Sequence, residues 1–183
     1  NDDKEIINTS LKSLQNLKYS SGTLTIGNVE IFKLLISKLE IPTRWKLRLL
    51  RHFWREDYFN DLLKQDSKTM IAGRSIEEIL KRFDTKIKDP RIASKGKKVS
   101  KIIKNFLKIN CTVDKAAETL NNFFKKNQIN LFVDQKYFPI SKNKVASLNI
   151  KFSASFGREL EYYTGMVFKI DIKDKFKKIN IIN

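Results

Sequence analysis

The spacing of apolar residues changes period near residue 129, and that change restricts the chain to one class of fold. Thr23-Leu24-Thr25-Ile26 alternates like a strand. From Val29 to Phe124 the apolar positions instead recur at three- and four-residue intervals, the repeat of an amphipathic helix. From Ile129 the period becomes two: Ile129, Leu131 and Val133 suggest a strand, and Leu148, Ile150 and Phe152 lead into another. The order is strand, helical block, sheet. Such segregation reads as α+β, with helices inserted between strands of one sheet.

Within that frame, Leu11, Leu14 and Leu17, with Ile6 and Ile7 before them, carry weak helical spacing over residues 1 to 20, which Ser20-Ser21-Gly22 breaks. Gly27-Asn28 turns the first strand into a helix bearing Val29, Phe32, Leu35, Ile36 and Leu39, and Pro42 stops it. Arg44 to Leu63 reads as a second helical stretch, with Trp45, Leu49, Phe53 and Trp54 inward. Arg44, Arg48, Arg51 and Arg55 line another of its faces. Ser75-Ile76-Glu77-Glu78 has the form of a capping box opening a short helix, and Asp89-Pro90 marks a break. Two further helices carry Val99, Ile102, Ile103, Phe106 and Leu107, then Ala116, Leu120, Phe123 and Phe124 from about Thr112. Lys169 to Ile182 reads as strand, turn and strand.

At 183 residues with 41% hydrophobic content the chain is long enough for a sizeable core. One cysteine, Cys111, forms no internal disulfide, and one histidine, His52, leaves too few nitrogen and sulfur ligands for zinc. No His-based acid/base pair or Ser-His-Asp triad can be built. No apolar run is long enough to span a bilayer and the start lacks signal-peptide character, so a cytoplasmic protein is expected. A start without Met and an end just past the richest motif suggest a piece of a longer protein. The formal charge is +17, from 37 basic and 20 acidic residues. Such a balance suits a polyanion, yet Lys95-Gly96-Lys97-Lys98 and Lys173-Asp174-Lys175-Phe176-Lys177-Lys178 lack the interleaved aromatics of a base-stacking surface. Solvated lysine faces are the favoured reading over a nucleic-acid site.

The richest motif is Phe156-Gly157-Arg158-Glu159-Leu160-Glu161-Tyr162-Tyr163-Thr164-Gly165-Met166-Val167-Phe168. As a strand, Glu161 to Phe168 puts Tyr162, Thr164, Met166 and Phe168 on one face and Glu161, Tyr163, Gly165 and Val167 on the other. Gly165 leaves a hole beside Tyr163. With Arg158 for a carboxylate and Tyr163 and Glu161 for polar groups, that hole suits a free amino acid. Arg158 has the wrong parity to converge on it, so a bend near Gly157 is required. The plainer alternative stays open: tyrosines packing in a strand, and Arg158 pairing with Glu159 or Glu161.

This motif resembles the histidine-recognition signature of histidyl-tRNA synthetases and of their non-catalytic relative, the regulatory subunit of ATP phosphoribosyltransferase. Gly27 to Phe32 through Arg51-His52-Phe53-Trp54 looks like the helix pair of the regulatory subunits, and Phe152-Ser153-Ala154-Ser155-Phe156-Gly157-Arg158 is closer to them than to the synthetases. The resemblance implies part of a class II aminoacyl-tRNA synthetase-like antiparallel sheet with an inserted helical block. Residues 1–43 would be the N-terminal part of that core, 44–127 the insertion, and 128–183 the strands with the motif. It implies Arg158 on the histidine carboxylate, Glu161 at the usual acidic position, Tyr163 at the imidazole, and Thr164 and Gly165 as pocket floor, with no cofactor, no metal and no catalytic residue. Glu159 stands where synthetases have glycine and Glu161 where Asp is more common, which counts against a tight fit of ATP. The implied function is sensing of free histidine for a catalytic ATP phosphoribosyltransferase partner. An active histidine-tRNA ligase fragment is the alternative, and a basic RNA-binding module a third reading.

Overall fold

A computed structural model of the chain describes residues 2–16, 21–53, 55–63, 70–71, 74–75, 94–138, 140, 148–157, 165–173 and 178–182. Helix α1 (Asp2–Asn16) precedes β1 (Gly22–Asn28), which runs directly into α2 (Val29–Lys38). Then come α3 (Thr43–Arg51), α4 (Glu56–Leu63), the two-residue strands β2 (Met70–Ile71) and β3 (Arg74–Ser75), and α5 (Ser94–Leu107). Strand β4 (Asn110–Thr112) leads through a 3-10 turn into α6 (Ala116–Lys126), and β5 (Leu148–Ser153), β6 (Met166–Lys173) and β7 (Lys178–Ile182) complete the order.

Five strands form one sheet in the order β4-β5-β1-β6-β7. β1, the first strand in sequence, lies at its centre, parallel to β5 and antiparallel to β6. The expected antiparallel pairing thus holds at β4–β5, β1–β6 and β6–β7, with one parallel pair added. A parallel neighbour demands a long crossover. The helical block between β1 and β5 is that crossover, which is why strands so remote in sequence can pair at Leu24 and Ile150.

Paired residues share a face, so the registers sort the sheet. Leu24, Ile26, Ile150, Phe152, Ile170 and Ile172 fall on one side, all buried, and join one apolar cluster with α1 (Ile7, Leu11, Leu14), α2, α5 and α6. Phe32 of α2 is its hub. Its ring stacks on Phe53 at 3.8 Å between centroids and meets Phe59 and Phe106 at 5.8 and 6.2 Å. Burying a side chain of that size is worth about 1.5–3 kcal/mol.

Four sequence-based expectations need correction. The stretch Arg44 to Leu63 is two helices, the first ending at Arg51 and the second beginning at Glu56; between them the backbone N–H of Phe53 bonds to the Leu50 carbonyl and that of Arg55 to the His52 carbonyl. α2 ends at Lys38, and Pro42 caps the start of α3 instead of stopping α2, its fixed φ preparing the new helix. Ile129, Leu131 and Val133 form no strand. Asn121 of α6 does a strand partner's work there: its side chain accepts from the Val133 N–H and donates to the Val133 carbonyl, both at 2.9 Å. Asn110 and Cys111, which spacing alone assigns to no element, and Thr112, expected to open a helix, form edge strand β4 against β5, and the helix begins at Ala116. The capping-box helix after Ser75, the break at Asp89-Pro90, and Leu17 and Trp54 lie outside the described residues.

The end of α6 shows why the chain turns before residue 129. Gln128 sits at φ 57, the left-handed conformation, while Ile129 N–H bonds to Phe124 O (2.9 Å) and Gln128 N–H to Lys125 O (3.1 Å), the paired bonds of a Schellman cap. Glycine usually occupies that place. Gln128→Gly is therefore expected to raise stability by about 0.5–1 kcal/mol, read as a higher urea midpoint at constant slope.

Candidate functional site

The other face of the sheet is polar. By the same registers it carries Thr23 and Thr25 from β1, Lys151 and Ser153 from β5, Asn110 and Thr112 from β4, and Lys169 and Asp171 from β6. Thr23, Thr25, Lys151, Ser153 and Lys169 are half-buried, and Asp171 is buried. Sheets that cover one face with helices and leave the other to solvent or ligand show this alternation. Lys169 bridges the face: its Nζ lies 3.7 Å from Asp171 Oδ2 and 5.6 Å from the centroid of the Phe156 ring. Sequence spacing alone does not mark these residues as a site. A signal is present in Lys169-Ile170-Asp171-Ile172, where polar and apolar alternate with period two, but only the registers join it to Thr23, Thr25 and Lys151.

One edge of that face is set by glycines. After β5 the chain turns through 154–157, with Ala154 N–H on Ile109 O (3.0 Å) and Phe156 N–H on Ser153 O (3.2 Å). Gly157 takes φ +95, and a Cβ there would lie 2.5 Å from Val167 Cγ2 and 3.3 Å from Val29 Cγ2. Gly27 lets β1 pass directly against the Phe156 carbonyl, where a side chain would collide with backbone. The bend required near Gly157 is thus present, packed against the start of α2. Asn28 caps that helix by accepting from Glu30 N–H at 3.0 Å and donates to the Tyr137 carbonyl at 3.4 Å. The first helical N–H, that of Val29, bonds to the Gly165 carbonyl at 3.0 Å. The helix's positive end is therefore held on the backbone of the motif itself.

Of the residues expected to contact ligand, Arg158, Glu161, Tyr163 and Thr164 lie outside the described residues. Gly165 is described: it is a bend immediately before β6, half-buried, and a Cβ placed on it meets no heavy atom of a described residue within 4 Å. Extending the alternation of β6 back from Lys169 and Val167 puts it on the polar side. Val29 adjoins both glycines of the motif: its N–H bonds to the Gly165 carbonyl at 3.0 Å, and a Cβ built on Gly157 would lie 3.3 Å from its Cγ2.

Elsewhere the described residues offer little chemistry. No group of three or more His, Cys, Asp or Glu among them is placed to hold a metal ion. Burial pushes the Cys111 thiol up from its usual pKa, a hydrogen bond with Thr119 opposing the shift, so it is protonated near neutrality and a poor nucleophile. No described helix is long and apolar enough to cross a membrane.

A family profile described as histidyl-tRNA synthetase matches residues 1–178. The chain belongs to the histidyl-tRNA synthetase family. Within that family its sequence is 25% identical over 188 residues to an ATP phosphoribosyltransferase regulatory subunit from Brucella anthropi, covering 80% of this chain and 50% of that protein. It is also 25% identical over 191 residues to one from Mesorhizobium japonicum, covering 82% and 51%. The chain spans about half the length of these relatives. A solved structure described as an ATP phosphoribosyltransferase regulatory subunit/histidyl-tRNA synthetase from Bacillus halodurans superposes with a TM-score of 0.51 at 15% identity, over 97% of this chain and 40% of that one. The histidyl-tRNA synthetase-like fold, a helix-backed sheet, is therefore the fold of this chain.

Proposed function

We propose that the chain is part of a histidine-sensing, non-catalytic regulatory subunit of ATP phosphoribosyltransferase, its core at 1–43 and 128–183 interrupted by a block at 44–127 that adds edge strand β4 to the core sheet. The observation carrying this reading is that no described residue comes within 4 Å of a Cβ built on Gly165, at the edge of a polar sheet face whose opposite side is closed by helices. An amino acid lodged there would meet Arg158 through its carboxylate and Tyr163 and Glu161 through its imidazole, with Thr164 and Gly165 beneath it. Relatives named as regulatory subunits support the assignment over an enzyme. Chemistry on ATP belongs in this reading to the partner catalytic subunit, so the chain needs no base, nucleophile, cofactor or metal. The setting is cytoplasmic and nucleic acid is not the ligand.

Tyr163→Phe keeps the ring and removes one hydroxyl. Folding is expected to be unchanged, while histidine affinity measured by calorimetry falls by about 0.5–1.5 kcal/mol, the worth of one hydrogen bond. Equal affinity would take the hydroxyl out of the site.

The family profile itself favours a second reading, an active histidine-tRNA ligase, in which Arg158 would stabilise charge on the α-phosphate of ATP. ATP–pyrophosphate exchange by the full-length protein separates the two. Regulation predicts no histidine-dependent exchange and a histidine-sensitive effect on the catalytic subunit; robust exchange would defeat it.

A further inference from the structure

One row across the polar face carries two lysines beside a single carboxylate. The registers place Thr112, Lys151, Thr25 and Lys169 side by side on β4, β5, β1 and β6, so hydroxyl and ammonium alternate along one line across four strands. Neighbouring strands lie about 4.8 Å apart, which puts the two lysine backbones roughly 10 Å apart with Thr25 between them. Both lysines are half-buried, the Lys169 side chain keeping 30% of its surface. Lys169 is held over the face by Asp171 Oδ2 at 3.7 Å and by the Phe156 ring. That carboxylate makes a further interaction of its own, and its distance from Nζ is longer than a hydrogen bond, so Lys169 keeps donors to spare. Among the described residues Lys151 has no acidic partner.

We infer that this row is a phosphate-binding subsite, separate from the amino-acid site at the motif. Lysine is a point charge with three rotatable donors and lacks the planar fork that pairs with a carboxylate, so two lysines suit a tetrahedral anion of higher charge. Their four-carbon stems are long enough to converge above Thr25, whose hydroxyl supplies a further donor from below. Asp171 pairs with Thr23 in the next row and opposes an anion, which weakens the pull of Lys169. Lys151 therefore carries the larger share.

Spacing along β6 separates the row from the amino acid assigned to Gly165. Lys169 follows Gly165 by four residues, about 13 Å at the rise of a strand. The row is also too small for nucleic acid, because two ammonium groups neutralise one or two phosphates whereas a nucleic-acid surface meets many. A small phosphate-bearing molecule fits it, whether inorganic phosphate or a phosphate carried by a larger compound. The assignment stands on the sheet registers and does not depend on the regulatory reading.

The test titrates inorganic phosphate, and separately ATP, into the full-length protein at constant ionic strength, followed by phosphorus NMR. Saturable binding of at least one probe is expected, weakened at least about tenfold by Lys151→Met and by a smaller factor by Lys169→Met, the range of a hydrogen bond to a charged group. Methionine keeps the apolar stem, and urea unfolding shows that each variant folds. Lys169→Arg keeps the charge and should bind within about threefold of the parent, so a loss in Lys169→Met is not one of packing alone. Saturation by inorganic phosphate makes the free anion sufficient; saturation by ATP alone, with the same dependence on both lysines, makes the phosphate part of a larger ligand. No saturation with either probe, or parent affinity in both methionine variants, would overturn the subsite. So would an equal loss in Lys97→Ala combined with Lys98→Ala, exposed on α5, which would mean general attraction to a chain of charge +17. ATP binding that is lost in Arg158→Ala but kept in the methionine variants would put the phosphates at the motif and overturn the row.

Discussion

Gly157→Ala is expected to destabilise the fold by about 2–5 kcal/mol, from two independent causes. An L-residue held in the left-handed region costs roughly 1–2 kcal/mol, and Gly157 sits at φ +95. The new methyl would also lie 2.5 Å from Val167 Cγ2, and overpacking of a filled site costs a further ~1–3 kcal/mol. A double-mutant cycle separates them. Gly157→Ala combined with Val167→Ala should recover the steric part, leaving a coupling of about 1–3 kcal/mol in urea unfolding. Strict additivity would show that the valine methyl is not the obstacle. Because Val29 flanks the same point, the damage should reach the start of α2, and histidine affinity should fall with stability.

Gly165→Val is expected to have the opposite profile. No heavy atom of a described residue lies within 4 Å of where its Cβ would stand, so unfolding free energy should change by less than about 0.5 kcal/mol. Histidine affinity should fall at least about a hundredfold, or roughly 2.7 kcal/mol, because the side chain fills the space assigned to the ligand. Gly165→Ala should give an intermediate loss. Should calorimetry return the parent affinity for the valine variant, the pocket lies elsewhere on the sheet. Two glycines of one motif are thus expected to separate cleanly: one allows the chain to turn, and in the proposed site the other would leave room for the ligand.

The polar face explains why the second of these effects is expected to be functional. Thr23, Thr25, Lys151 and Asp171 come from strands remote in sequence, and none is unusual alone. They matter because β1 pairs with both β5 and β6. That central placement depends on the helical crossover, whose own apolar stripe covers the other side of the sheet.

Local chemistry is enough to set much of the chain. The three- and four-residue spacing of Phe32, Leu35 and Ile36, the Asn28 cap, and the alternation of Leu148, Ile150 and Phe152 each act within a few residues, so they read directly from the order of side chains. The bend at Gly157 is legible for the same reason. Three-dimensional pairing decides the rest. Whether Ile129 to Val133 becomes a strand turns on Asn121 occupying its backbone groups, and whether Cys111 joins the sheet turns on Phe152 having a free edge beside it. A backbone hydrogen bond can be satisfied by any partner that arrives in position, and the identity of that partner is a property of the packed chain and not of the segment that needs it.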